Sequence, residues 1–250
     1  TLKEYYVTFQ KGMMAVCRSY QSLLLEGTRI AYSGTEGAFA HIAAGKIFTD
    51  GHTIPHGDFE SAYNAVVAGE CDCAVLPIEN SYAGEVGQVL DLMYKGSLYI
   101  NGVYDLEVSQ NLLGVKGATL ADVRTVISHQ QALMQCSEFI KENGLEQLQA
   151  VNTAIAAQKV AEANDKSIAA IASKETAEIY GLGIIEKDIN EQSFNTTRFA
   201  VFSRAENKVE ADGNNFLLLF TVSHIAGALA KAISVIGDHG FNMKVLRSRP

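Results

Sequence analysis

The sequence predicts an α/β protein in which most strands pair in parallel. After an N-terminal helical segment, strand-like and helix-like apolar patterns alternate along most of the chain. Polar residues gather at several points where a strand leads into a helix. The chain has 250 residues, of which 48% are hydrophobic and 19% charged, so it can bury the core of one two-lobed domain or of two small domains.

The first predicted element is an amphipathic helix over residues 4–25, which ends at Gly27. Short apolar runs predict strands at 28–32, 72–77, 123–127, 167–172 and 198–203. Helical spacing predicts helices at 38–48, from the 79–84 turn to about 94, from 128–130 to about 142, at 153–164 and at 173–180. This alternation is typical of α/β folds with mainly parallel sheets.

A smaller module is predicted after the polar stretch 204–214. A strand at 216–222, a helix at 227–236 and a strand at 241–246 form a β-α-β pattern. The pattern stops before a sheet could be completed.

Charge and composition exclude several classes of function. The formal net charge is -8 and basic residues are not clustered, which excludes nucleic acids and anionic membranes as partners. No apolar run approaches the roughly 20 residues of a membrane span, and a signal peptide is not evident. We therefore expect a cytoplasmic protein that acts on a small molecule.

The four cysteines are expected to be reduced thiols. Cys71 and Cys73 enter an apolar run, while Cys17 and Cys136 lie in helical patterns. A Cys-x-Cys pair without a nearby histidine cluster is a poor metal site. The sequence predicts no metal and no organic cofactor.

Three polar junctions, at 33–37, 79–81 and 128–131, are expected to open helices. The N-terminus of a helix offers unpaired N–H groups to an anion, and the carboxyl ends of strands in open α/β sheets line ligand crevices. These junctions therefore indicate either a cleft for a small anion or ordinary helix caps. Both interpretations are about equally supported by the pattern alone.

A fourth polar segment, 195–199, places Thr197 beside Arg198 on a predicted strand. Arginine can grip a carboxylate through two hydrogen bonds, and a threonine hydroxyl can donate to a leaving oxygen. The alternative is a half-buried strand whose arginine faces solvent.

Together these segments resemble the successive motifs of prephenate dehydratases over roughly residues 28–203. The motifs are Gly34-Thr35-Glu36-Gly37-Ala38-Phe39-Ala40-His41, Leu76-Pro77-Ile78-Glu79-Asn80-Ser81 with Gly84 and Val86, Ser128-His129-Gln130-Gln131-Ala132-Leu133 with Gln135-Cys136, and Asn195-Thr196-Thr197-Arg198-Phe199. The resemblance implies a catalytic domain over 28–205 that resembles type II periplasmic binding proteins. Lobe one would comprise 28–105 and 187–203, and lobe two would comprise 106–186, with the active site between them.

The resemblance also implies roles for individual residues. Thr197, Arg198 and Glu79 are expected to be catalytic, with the Thr197 hydroxyl assisting the departing oxygen and Arg198 shaping the anion site. The expected substrate-binding residues are Asn80, Ser81, Ser128, Gln135 and Phe199. Glu79 would repel a dianion unless it is protonated or held by neighbours, and both explanations stay open. Structural roles are expected for His41 and His129.

The C-terminal stretch 214–250 is similar to part of an ACT regulatory domain, an α+β module of ferredoxin-like fold to which phenylalanine binds as an effector. The expected effector-binding residues are Gly227, Ala228, Leu229, Asn242, Ser248 and Arg249. The family pattern has Glu-Ser-Arg-Pro where this chain has Arg247-Ser248-Arg249-Pro250. This change reverses a charge in the effector loop, so the sequence leaves phenylalanine inhibition open.

The N-terminal helix, within 1–27, resembles the last helix of a chorismate mutase domain, with Gln21 at its catalytic glutamine. An ordinary amphipathic linker helix is the alternative, and no mutase activity is expected from one helix.

The resulting prediction is a homodimeric or homotetrameric enzyme that converts prephenate to phenylpyruvate, water and carbon dioxide. The alternatives are an arogenate dehydratase, a non-catalytic protein that binds small anions, and an amino-acid sensor.

Overall fold

The structure, a computed structural model, describes residues 2–191, 195–207, 218–243 and 246. The chain divides into two compact units, residues 1–208 and 209–250. We describe each unit by itself.

The larger unit contains helices and strands in alternation. The strands are β1 Arg29–Ser33, β2 His52–His56, β3 Cys73–Asn80, β4 Gly84–Glu85, β5 Tyr99–Glu107, β6 Asn111–Gly114, β7 Thr125–Ser128, β8 Glu146–Gln149, β9 Ile168–Ala172, β10 Gly183–Glu186 and β11 Thr196–Ser203. The helices are α1 Leu2–Glu26, α2 Phe39–Ile47, α3 Phe59–Ala68, α4 Gly87–Lys95, α5 Gln130–Gln135, α6 Ser137–Glu142, α7 Thr153–Ala163 and α8 Lys174–Tyr180.

The strands form two separate sheets, one in each lobe. The first sheet has the order β2-β1-β3-β11-β5, and β4 pairs with β3. The second has the order β10-β6-β9-β7-β8. The two-lobed α/β architecture expected from the sequence is confirmed.

Both sheets are mixed, so the expectation of mainly parallel pairing is wrong. β2, β1 and β3 are parallel, but β11 runs antiparallel to both β3 and β5. In the second sheet, β8, β7 and β9 are parallel to one another. β6 runs antiparallel to both β9 and β10. Apart from the short β4, which pairs antiparallel with β3, the antiparallel strands are those that flank the passage of the chain from one lobe to the other, which local apolar patterns do not reveal.

The chain crosses between the lobes twice. β5 leaves the first sheet at Glu107 and β6 enters the second at Asn111, while β10 and β11 bound the return crossing, 187–195. The two crossings are hydrogen-bonded to each other, because Val108 N–H donates to Asn195 O (2.6 Å) and Ile189 N–H donates to Gln110 O (2.8 Å). The two crossings therefore lie side by side where the lobes are connected. The lobe boundaries inferred from the sequence stay predictions.

Each sheet has a buried apolar cluster on both faces. In the first lobe, one cluster includes Ala200 and Phe202 and the other includes Phe199 and Val201. Successive residues of β11 thus alternate between two cores, as the period of a strand requires. The second lobe has the same construction.

One predicted helix start and the continuity of one predicted helix are wrong. Glu79 and Asn80 end strand β3 and lead through a turn into β4, so that helix α4 begins only at Gly87. The predicted helix over 130–142 is divided at Cys136 into α5 and α6. The strands β2, β4, β5, β6, β8 and β10 and helix α3 were not predicted.

The described cysteines are unpaired thiols, as expected. Cys71, Cys73 and Cys136 are buried and Cys17 is exposed. Burial raises the pKa of the Cys73 and Cys136 thiols to about 12, which keeps them protonated and unreactive. In the described part of the chain, no helix is both long and apolar enough to span a membrane.

The smaller unit contains helix α9, Ala228–Asp238, which confirms the predicted helix. The predicted strands at 216–222 and 241–246 are not confirmed, because the described residues 218–223 and 241–243 form no strand. A strand is stable only beside a neighbour that satisfies its backbone groups, and none pairs with these residues among those described.

The loop of residues 34–38 joins the two lobes by close contact. Gly37 has a φ of +84°, and a Cβ there would lie 3.3 Å from side-chain atoms of Thr176 and Tyr180 in helix α8. The Thr176 hydroxyl donates to Gly37 O (2.8 Å), and the Tyr180 hydroxyl donates to Glu36 O (2.9 Å). Glycine is therefore required here both by backbone conformation and by space.

We predict that Gly37→Ala destabilises the protein by about 1–3 kcal/mol, because a left-handed backbone and a lobe contact are both strained. Gly45→Ala is the matched control, since a Cβ at this helical position meets nothing within 4 Å and alanine favours a helix. Urea unfolding of both variants measures the effect. Equal stability of the two variants would contradict the prediction.

Candidate functional site

A cluster of amide side chains and one threonine lies where the two lobes meet the crossings. Its members are largely buried and come from different elements: Asn80 from β3, Gln110 and Asn195 from the crossings, Gln135 from α5 and Thr197 from β11. We call this set the amide cluster. Three of its members, Asn80, Gln135 and Thr197, were predicted as site residues.

Strand pairing places Asn80 directly beside Thr197. The two residues are register partners in β3 and β11, and Asn80 Nδ2 donates to Thr197 Oγ1 at 2.9 Å. The hydroxyl therefore receives a hydrogen bond on its oxygen, which leaves its own proton for another acceptor.

Hydrogen bonds continue from Asn80 to the second lobe. Asn80 Nδ2 also donates to Asn195 Oδ1 (2.9 Å), and Asn195 Nδ2 donates to Gln135 Oε1 (3.0 Å). Gln110 Nε2 donates to the same Gln135 oxygen at 3.2 Å. Thus a chain of amides connects the Thr197 hydroxyl of one lobe to helix α5 of the other.

The oxygen of Asn80 organises the turn that follows β3. Asn80 Oδ1 accepts from the backbone N–H groups of Tyr82 (3.0 Å) and Ala83 (2.9 Å), and from Gln131 Nε2 of helix α5 (3.3 Å). Asn80 is thus fixed on both sides, which fixes the direction of its bond to Thr197.

Arg198 points to the opposite face of β11 from Thr197. Its guanidinium donates to Asp105 Oδ1 (2.9 Å) and to Glu79 Oε2 (3.3 Å), its neighbours on the two flanking strands. The hydrogen bond with Asp105 raises the pKa of Arg198 further. Glu79 is therefore held by a neighbour, one of the two states that the sequence left open. The catalytic roles assigned to Arg198 and Glu79 stay predictions.

Three other predicted substrate-binding residues make contacts that position elements near the site. Ser128 is fully buried, and its hydroxyl donates to Ile171 O at 2.6 Å. Ser81 Oγ accepts from Thr196 N–H at 3.0 Å, which positions the start of β11. Phe199 is 1% exposed and belongs to one of the two cores of the first lobe. That these three residues contact the substrate stays a prediction.

The two predicted structural histidines both accept hydrogen bonds from backbone groups. His129 Nδ1 accepts from Gln131 N–H (3.3 Å), and His41 Nδ1 accepts from Gly37 N–H (3.1 Å). His41 also lies 5.1 Å from the Tyr32 ring, centroid to centroid. Burial lowers the pKa of His41, against the nearby charge of Glu36.

Four of the predicted effector-binding residues fall within the described part of the smaller unit. Gly227, with a φ of +82°, precedes helix α9, which Ala228 and Leu229 open. Asn242 lies after the helix, outside regular structure. Ser248 and Arg249 lie outside the described residues, as does Arg247.

Sequence reasoning missed Gln110 and Asp105. Gln110 precedes a short strand, and Asp105 lies within a strand that was itself not predicted. Neither stands in a recognised motif. Only the pairing of β11 with β5 and the meeting of the two crossings bring them to the site.

A small concavity adjoins the amide cluster. It is lined by Tyr82, Gln135, Asn190, Glu191 and Asn195. Hydrogen bonds from the Ser137 hydroxyl (2.6 Å) and the Glu138 N–H (3.0 Å) lower the pKa of Glu191, so this wall is negatively charged at neutral pH. The described residues include no cluster of three or more His, Cys, Asp or Glu side chains that could hold a metal ion.

Comparison with known proteins identifies the family of the larger unit. The model of the prephenate dehydratase family matches residues 30–207. "Arogenate dehydratase/prephenate dehydratase 2, chloroplastic" from Arabidopsis thaliana is 37% identical over 89% of this chain and 58% of its own length. A bifunctional chorismate mutase/prephenate dehydratase from Buchnera aphidicola is 32% identical over 97% of this chain and 64% of its own.

A solved structure agrees in fold. Prephenate dehydratase from Arthrobacter aurescens, solved in complex with L-Phe, superposes with a TM-score of 0.77 at 26% identity, covering 89% of this chain and 76% of that one. The chain spans about three fifths of the length of the plant relatives that it matches.

We predict that stability falls as the pH drops below about 6.5, partly through His41. The folded state lowers the pKa of this histidine, so below its ordinary pKa the unfolded chain binds the proton more readily. His41→Asn retains an acceptor for Gly37 N–H but does not titrate.

Urea unfolding at pH 7, 6 and 5 should therefore show a smaller loss of stability in His41→Asn than in the native protein. His52→Asn, at an exposed position of the edge strand β2, is the control and should retain the native slope. Identical slopes for His41→Asn and the native protein would refute the assignment.

Proposed function

Because the chain belongs to the prephenate dehydratase family, we propose that its larger unit converts prephenate to phenylpyruvate in phenylalanine biosynthesis. The relatives that share its sequence carry the names prephenate dehydratase and arogenate dehydratase. The amide cluster between the lobes is the proposed active site.

The reaction removes two groups from opposite ends of one ring. The bond between the ring and its carboxylate breaks, and the electron pair moves into the ring as carbon dioxide departs. The bond to the ring hydroxyl breaks at the other end, and its electron pair leaves with the oxygen. One proton, which comes ultimately from the solvent, completes the water molecule. The ring becomes aromatic, so the substrate itself supplies the driving force.

The hydrogen bond from Asn80 to Thr197 carries this proposal. Because Asn80 Nδ2 donates to Thr197 Oγ1, the hydroxyl proton can point to the departing oxygen of the substrate. A free threonine hydroxyl is a weak acid, so its main effect is to stabilise the negative charge that develops on that oxygen. Such a pre-oriented donor is most effective where water is excluded.

Gln135 is suited to bind a carboxylate of the substrate. Its Oε1 already accepts two hydrogen bonds, and the side chain lines the concavity. No described residue accepts from its Nε2, so both amide protons are available to an anionic group. Gln135 thereby links the binding of substrate to the position of Asn195, Asn80 and Thr197.

Arg198 and Glu79 have a structural role in this proposal. Their side chains meet on the face of β11 opposite Thr197, together with Asp105. The three charges hold β3, β11 and β5 in register, so the repulsion between Glu79 and a dianionic substrate is reduced.

The proposal extends to two features of the smaller unit. Residues 214–250 form part of an ACT module, with phenylalanine as effector. A relative of similar fold was solved in complex with L-Phe. A homodimer or homotetramer, a cytoplasmic location and a chorismate mutase origin of α1 stay predictions from the sequence.

We predict that Thr197→Ala lowers kcat for phenylpyruvate formation on the order of 100- to 10,000-fold, the usual contribution of a positioned proton donor. Thr197→Ser retains the hydroxyl and should recover most of the loss. Phenylpyruvate is measured by its absorbance in alkali. Thr53→Ala makes the same chemical change in β2 of the same sheet and should leave kcat unaltered.

Near-native turnover of a folded Thr197→Ala protein would remove the proposed role. Binding of prephenate without any turnover by the native protein would instead favour the alternative of a non-catalytic anion-binding protein.

We also predict that Glu79→Gln changes kcat less than tenfold, because Glu79 faces Arg198 rather than the proposed substrate. The loss of one partly exposed ion pair should lower the free energy of unfolding by at most about 1 kcal/mol. Kinetics and urea unfolding of the same preparation measure both effects. A loss of turnover as large as that of Thr197→Ala would make Glu79 a catalytic residue.

A further inference from the structure

We propose that Asn195 is a positioning residue for the reaction: it sets the direction of the Gln135 amide, so that Gln135 presents N–H donors rather than its oxygen to a carboxylate of the substrate. The inference rests on the proposed function, because it concerns how the proposed active site binds an anion. No role was assigned to Asn195 from the sequence.

The direction of the amides is set first at Asn80, by the turn that follows β3. An amide side chain can be turned over, which exchanges its oxygen and its nitrogen. The backbone N–H groups of Tyr82 and Ala83 remove this freedom, since both donate to Asn80 Oδ1 (3.0 and 2.9 Å). A backbone N–H cannot act as an acceptor. Asn80 therefore has to direct its donor, Nδ2, toward Asn195 and Thr197.

Asn195 transmits this direction to Gln135. Its Oδ1 accepts from Asn80 Nδ2 (2.9 Å), so its own Nδ2 donates to Gln135 Oε1 (3.0 Å). If the Asn195 amide turned over, two donors would face each other at Asn80 and two acceptors at Gln135. Asn195 is 3% exposed, so water does not compensate for such a mismatch.

Gln110, the second donor to Gln135 Oε1 (3.2 Å), does not set the direction. The Oε1 atom of Gln110 has no hydrogen-bond partner among the described residues. The Gln110 amide can therefore turn over together with that of Gln135 without losing another hydrogen bond. Asn195 differs from Gln110 because both ends of its amide are bonded.

At Gln135 the resulting direction leaves the amide protons for a ligand. The side chain lines the concavity beside the amide cluster, and no described residue accepts from its Nε2. An amide N–H binds a carboxylate, whereas an amide oxygen repels it. The direction of this one amide thus decides whether Gln135 attracts or repels an anion.

The charge of the concavity makes this direction important. Glu191 lines the same concavity, and hydrogen bonds from Ser137 and Glu138 lower its pKa, so that it is ionised at neutral pH. A substrate carboxylate near this wall needs a donor to offset the repulsion. The oxygen of a turned Gln135 amide would add to the repulsion instead.

The test measures kcat and KM for prephenate in Asn195→Asp and Asn195→Ala. Asn195→Asp keeps the acceptor for Asn80 but replaces the donor to Gln135 by an acceptor, so the Gln135 amide turns over and presents its oxygen. We expect KM to rise about tenfold or more, because hydrogen bonds to a charged group are lost. The change in kcat should be less than about threefold, since the lost interaction is one of binding.

Asn195→Ala removes the donor to Gln135 without adding a charge. KM should therefore rise in this variant too, but by a smaller factor than in Asn195→Asp. If Asn195→Asp does not fold, as judged by circular dichroism and urea unfolding, Asn195→Ala decides the matter.

A double-mutant cycle with Gln135→Met separates the proposed role from a structural one. Gln135→Met removes the amide and should by itself raise KM about tenfold or more. In that background, either Asn195 variant should change KM by less than about twofold, because no amide remains to be directed. A general loss of structure or an added charge would act whether or not the Gln135 amide is present.

Asn111→Ala is the matched control. Asn111 is also 3% exposed, and its amide bonds to Ser109, Ala172 and Asp188 but, among the described residues, to no member of the amide cluster. KM of this variant should stay within about twofold of the native value.

Three results would overturn the inference: an unchanged KM in the folded Asn195 variants, effects of Asn195 and Gln135 that multiply in the cycle, or a rise in KM for Asn111→Ala as large as that for Asn195→Ala. In each case, phenylpyruvate formation by the native protein leaves the proposed function standing. A native protein that forms no phenylpyruvate from prephenate would instead refute the proposed function.

Discussion

The hydrogen bond from Asn80 to Thr197 is the contact on which the rest of the site depends. It is made because β3 and β11 pair in a register that places the two residues side by side. Asn80 is held in turn by the β3–β4 turn and by Asn195. The direction of the Thr197 hydroxyl is thus set by strand pairing in the first lobe and by the amide side chains that extend to the second lobe.

The two-residue period of a β-strand explains why neighbouring residues of β11 have different contacts. Neighbouring residues point to opposite faces, so Thr197 faces the amide cluster while Arg198 faces Glu79 and Asp105. A motif that reads as one functional unit in the sequence is therefore two units in space. One is suited to polarise a leaving group, and the other binds three strands together through charge.

The site also depends on how the lobes are held. Gln131 and Gln135 belong to α5 of the second lobe, yet they bond to residues of the first lobe and of the crossings. The tight approach of Gly37 to helix α8 supplies a second connection. Relative movement of the lobes would break several of these hydrogen bonds together, so the orientation of Thr197 depends on how the lobes are placed.

The sequence by itself determined the α/β class, the segments that carry the site, and the candidate residues Asn80, Gln135 and Thr197. These follow from local apolar periodicity and from motifs, which are properties of neighbouring residues. Only the tertiary structure decided that Ser128 is buried against Ile171, that Arg198 is paired with two carboxylates, and that Gln110 joins the site. Each of these outcomes depends on contacts between residues far apart in the chain, such as the register of β11 between β3 and β5 and the meeting of the two crossings. A local pattern contains no information about which distant strand becomes a neighbour, and for that reason the mixed pairing of the sheets was not predicted either.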